Sequence, residues 1–67
     1  MKLIMRTEFD NLRNNPAHQY DVDKNGDKQV VKIYVNELLI AKKVTLKKSI
    51  RYFGAPNYKD FLLEEQQ

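Results

Sequence analysis

Gln29–Gly54 reads QVVKIYVNELLIAKKVTLKKSIRYFG, and the fold turns on where its period changes. Val31, Ile33 and Val35 alternate with Lys32 and Tyr34, the period of two of a half-buried strand rich in β-branched residues. Leu38–Ala41 is a second short apolar run, and Asn36-Glu37 between the two supplies a tight turn. From Thr45 the spacing matches a helix: Leu46, Ser49, Ile50 and Phe53 fall on one side, Lys47, Lys48 and Arg51 on the other. Thr45 is suited to cap that helix and Gly54 to end it in the left-handed conformation. The centre of the chain is therefore expected to be strand, strand and a helix with a basic outer face.

Upstream, Met1–Arg6 fits either a short strand or the lead-in to a helix. Thr7–Asn14 is predicted helical, with Thr7 as N-cap, Glu8 and Asp10 in the first turn, and Met5, Phe9 and Leu12 along one stripe. Asn14-Asn15-Pro16 ends it, because proline disfavours helical geometry in the residue before it. His18–Asp23 reads as a strand with Tyr20 and Val22 on one face, turning at Asn25-Gly26. Beyond Gly54, Pro56 marks a break, and Phe61 and Leu62 continue the apolar face of the last helix in a second helical piece. Glu64–Gln67 is polar and expected to fray. The expected core is Phe9, Leu12, Tyr20, Val22, Val31, Ile33, Val35, Leu46, Ile50, Phe53 and Phe61, with the register of the third strand open between Leu38/Ile40 and Leu39/Ala41.

A chain of 67 residues makes one domain of modest stability. With no cysteine there is neither a disulfide nor a thiolate metal site. Leu3–Met5 is too short for a signal-peptide core, and Leu38–Ala41 falls far short of a membrane span. An intracellular protein, nuclear or cytoplasmic, is the expectation.

The net charge of +3 is strongly segregated. Residues 1–27 sum to −1, residues 28–59 to +7 and the last eight to −3. A basic block between neutral and acidic flanks points to a polyanion or to an acidic protein surface. Asp21, Asp23, Asn25 and Gly26 match the first ligand positions of a calcium loop, but Lys32 stands where the bidentate carboxylate belongs, so no metal site is expected. His18 is the sole histidine, and no serine or carboxylate is spaced with it for a triad. No nucleophile with a base, no carboxylate pair and no glycine-rich phosphate loop emerges, so the expectation is a non-enzyme without cofactors or catalytic residues.

The order α-β-β-β-α resembles a double-stranded-RNA-binding domain over nearly the whole chain. Glu8 stands twelve residues before Tyr20, similar to that family's glutamate–tyrosine spacing. Lys47-Lys48-Ser49-Ile50-Arg51 resembles its last-helix signature of two lysines, any residue, an alanine and a lysine. The loop Lys24–Gln29 departs from the family's Gly-Pro-x-His-like motif, and Gly54 and Pro56 interrupt its unbroken last helix. The resemblance implies an α+β fold over residues 1–67, with two helices on one face of a three-stranded antiparallel sheet. It also implies duplex RNA as partner. Lys47, Lys48 and Arg51 at the start of the last helix would contact phosphates, extended by Lys42 and Lys43, with Glu8 on the first helix. Two alternatives stand beside it: a protein-interaction module anchored by Tyr34, Tyr52 and Tyr58, and a small DNA-binding regulator.

Overall fold

A computed structural model describes residues 1–63; the expected fraying of Glu64–Gln67 lies outside them. In chain order the elements are β1 (Lys2–Leu3), α1 (Arg6–Arg13), β2 (Gln19–Asn25), β3 (Lys28–Val35), β4 (Leu38–Leu46), β5 (Ser49–Gly54) and a 3₁₀ turn at Tyr58–Phe61. All strands join one antiparallel sheet in the order β1-β5-β4-β3-β2. The expected three-stranded sheet with two helices is thereby corrected, among the described residues, to five strands and one α-helix.

The correction centres on Thr45–Gly54. Ile50, Tyr52 and Gly54 lie on one face and Arg51 and Phe53 on the other, and β5 pairs with β4 from Leu46↔Ser49 to Ala41↔Gly54. The helical spacing groups Leu46, Ile50 and Phe53, whereas the strand puts Ile50 with Tyr52 and sends Phe53 to the other face. The neighbouring strand decides, because it satisfies the backbone groups through a ladder. Lys47 and Lys48 are the hairpin turn between paired Leu46 and Ser49, not the first turn of a helix, and Arg51 is a strand residue. Gly54 is not a left-handed cap either. A Cβ there would stand 2.8 Å from Ile4 Cγ2 and 3.0 Å from the Tyr58 ring, so the position needs a residue without a side chain.

Other turns follow their residue types. Asn36 (φ 50°) and Glu37 (φ 68°) are both left-handed, the signature of a type I′ hairpin turn. Gly26 (φ 60°) opens the β2–β3 turn, which centres on Gly26-Asp27, one residue later than expected. A β-bulge between Ile33 and Tyr34 in the β3–β4 ladder leaves Ile40 as the extra residue. It resolves the open register of this strand by burying both Ile40 and Ala41.

Helix α1 begins at Arg6, one residue before the expected start. Its first turn is held by the Glu8 carboxylate, which accepts the Met5 N–H at 3.0 Å. At its exit His18 Nδ1 donates to the Leu12 carbonyl at 2.9 Å, while Nε2 accepts from the Asn15 amide at 3.2 Å. The lone histidine thus ties the loop to the helix end. The helix crosses the sheet from the β5 side, where the Ile4 N–H donates to the Tyr52 carbonyl, to the β2 side, where Arg13 lies over the Tyr20 ring. Phe9 and Leu12 are buried against Ile33, Ile40, Ala41 and Tyr58. The helix covers only that end of the sheet. Tyr20, Val22, Leu46 and Ile50, expected in the core, are about half exposed on the uncovered end, and Phe53 lies on the opposite face. Among the described residues, no helix is long and apolar enough to cross a membrane.

Candidate nucleic-acid interface

The sheet face opposite α1 carries Lys28, Lys32, Lys42 and Arg51. On β3 the alternation places Lys28, Val30, Lys32 and Tyr34 there; β4 adds Lys42 and Val44, and β5 adds Arg51 and Phe53. One row across the sheet runs Asp21, Lys32, Lys42 and Phe53, and the next runs Asp23, Val30, Val44 and Arg51. Lys42 Nζ lies over the Phe53 ring, 5.5 Å from its centroid, a cation–π contact on this face. Between the rows is a shallow depression lined by Asp23, Asn25, Lys28, Val30, Lys32, Lys42 and Val44.

The pair Lys32↔Lys42 is unusual. Like charges directly opposite on neighbouring strands oppose folding by roughly 0.2–1 kcal/mol. Nothing nearby offsets it fully. Asp21 is the cross-strand neighbour of Lys32, yet the only ion pair among the described residues is Arg6–Asp10 on the exposed side of α1, 3.5 Å apart. Counted beyond the Ile33–Ala41 row, residues 21–32 and 42–53 carry Lys24, Lys28, Lys32, Lys42, Lys43, Lys47, Lys48 and Arg51 against Asp21, Asp23 and Asp27, a net +5. The remaining described residues sum to zero. The molecule therefore has a neutral, helix-covered end and a basic, uncovered end.

The residues expected from sequence are divided by this geometry. Lys42 and Arg51 share the helix-free face, with Lys47 and Lys48 beside them at the hairpin tip. Lys43 is on the other face, with its ammonium 5.9 Å from the Tyr52 centroid. Glu8 is part of the fold. Its Oε2 accepts the Tyr58 hydroxyl at 2.6 Å, and that bond, followed by the Met5 N–H, holds its carboxyl below the usual range. Lys28 and Lys32, outside the expected set, also lie on this face. Their i, i+4 spacing on a strand is the signal for a shared face. Their relation to Lys42 was hidden. Counting back from the Asn36-Glu37 turn would oppose Lys32 to Ala41, and the bulge at Ile40 brings Lys42 there instead.

Among the described residues, no group of three His, Cys, Asp or Glu side chains is placed to share a metal ion. No family model, curated protein or solved structure matches the chain.

Proposed function

We propose that this chain is a non-enzymatic nucleic-acid-binding module that takes duplex RNA on the helix-free face of its sheet. The observation that carries this reading is the Lys32–Lys42 pair, cross-strand neighbours with no ion-paired carboxylate among the described residues and extended by Lys28 and Arg51. A ligand with closely spaced negative charges relieves that repulsion, and phosphates do so without requiring a pocket. Shape favours RNA. Four strands spaced about 4.8 Å apart make a platform roughly 14 Å wide, broader than the roughly 12 Å major groove of B-DNA, which admits a two-stranded ribbon. The wide, shallow minor groove of A-form RNA accepts such a surface, with contacts to phosphates and 2′-hydroxyls.

The test is filter binding to duplex RNA and duplex DNA at two or more salt concentrations. Replacing Lys32, Lys42 and Arg51 together by glutamine should leave the fold intact and cut duplex RNA affinity at least tenfold. It should also flatten the log–log salt slope by roughly two to three units, at about 0.9 per phosphate contact in a B-form duplex. Affinity should vary little with duplex sequence. An unmutated protein with no salt-sensitive duplex binding at low ionic strength would refute the proposal.

A further inference from the structure

The opposite face of the same uncovered end is built differently. Tyr20 and Val22 of β2, Val31 of β3 and Ile50 and Tyr52 of β5 lie on the side that carries α1, in rows that continue the core beyond the helix. Tyr20 is 57% exposed, Val22 48% and Ile50 53%, so this strip of sheet is uncovered. Its charges are all of one sign. Lys24 and Lys43 share the face and Arg13 borders it over the Tyr20 ring, while β2–β5 place no carboxylate on this side.

We propose that this strip is a docking site for an acidic amphipathic helix of a partner protein, lying beside α1. Neighbouring rows of the same face already seat a helix, with Phe9 packed against Tyr52 at a centroid distance of 5.4 Å. The strip crosses four strands, about 14 Å, which matches between two and three helical turns of 5.4 Å. Apolar residues at i, i+3, i+4 and i+7 would cover Val22, Val31 and Ile50, and flanking carboxylates would meet Lys24, Lys43 and Arg13. A second copy of this chain is a poorer occupant, because face-to-face pairing brings Lys24 and Lys43 against their own like charges. The site is separate from the RNA face, so either stands without the other.

A suitable probe is a synthetic peptide of about 15 residues, long enough to be helical, with leucines at that spacing and glutamates beside them. Titrated into the labelled full chain, it should give saturable amide shifts at Tyr20, Val22, Val31 and Ile50 and leave Lys28 and Lys32 unmoved. Ile50→Asp, a change at an exposed position, and Lys43→Glu should each weaken binding at least tenfold with the rest of the amide spectrum unchanged. A version carrying lysines in place of the glutamates should not bind. The proposal is overturned if the acidic peptide causes no shifts at millimolar concentration, or if the lysine version binds as well. It is equally overturned if sedimentation shows a dimer burying these residues, or if duplex RNA shifts this face rather than the other.

Discussion

Glu8 shows how much one side chain can fix in a small fold. One carboxylate oxygen accepts the N–H at the start of α1 and the other accepts the hydroxyl of Tyr58, fifty residues later, joining the helix to the 3₁₀ turn after the last strand. The Tyr58 bond comes first among the causes that lower the Glu8 carboxyl, and the same bond with Glu8 comes first in raising the Tyr58 phenol. The signs give two limbs. A lowered carboxylate adds stability above its unfolded value near 4.3, and loses it as pH falls through the folded value. A raised phenol adds stability below about pH 10, and loses it as pH rises through its folded value. Tyr58→Phe should therefore lower stability at neutral pH, and the difference from the parent should shrink at both extremes. Urea titrations at pH 3, 7 and above 10 on both proteins check this; a difference constant across pH would separate the bond from the stability it is assigned.

The elements divide sharply into those legible in the sequence and those that are not. Helix α1, strands β2 and β3 and the Asn36-Glu37 turn follow from apolar period, proline and turn chemistry. The β4–β5 hairpin does not, because Lys47-Lys48 carries no glycine, asparagine or proline to announce a turn. Leu46, Ser49, Ile50 and Phe53 lie at helical spacing, but pairing with β4 makes the segment a strand and puts Ile50 and Phe53 on opposite faces. A helix here would bury Ile50 in the core, whereas the strand leaves it half exposed. The candidate site was legible as a basic segment but not as a surface, since the bulge at Ile40 decides which of Lys42 and Lys43 faces away from α1. Gly54 shows the same change of role, from an expected helix cap to the point where β5 passes closest to Ile4 and Tyr58. Gly54→Ala should destabilise the fold by about 1–3 kcal/mol, the usual cost of overpacking a core. Equilibrium unfolding measures it, and a neutral result would mean that the 3₁₀ turn shifts freely away from the sheet.

At the scale of the whole molecule, the segregation of charge sets stability against binding. The helix-covered end holds the core and is neutral, whereas the rows beyond Ile33 and Ala41 carry the net +5 and no helix. Repulsion among those lysines opposes folding and is screened by salt over a Debye length of about 10 Å at 0.1 M. Added sodium chloride should therefore raise stability at low ionic strength, before any salting-out effect applies. Lys42→Gln removes the charge of one member of the cross-strand pair, and with it the ammonium over the Phe53 ring. It should stabilise the fold by about 0.5 kcal/mol at low salt and by little at high salt, while weakening duplex RNA binding. Lys43→Gln is the control, because its cross-strand neighbours are Val31 and Tyr52 rather than a cation. Denaturant unfolding of the three proteins in 10 mM and 500 mM salt distinguishes the outcomes. If Lys42→Gln and Lys43→Gln respond alike, the cost is diffuse net charge, and the Lys32–Lys42 pair loses its standing as the feature that asks for a polyanion.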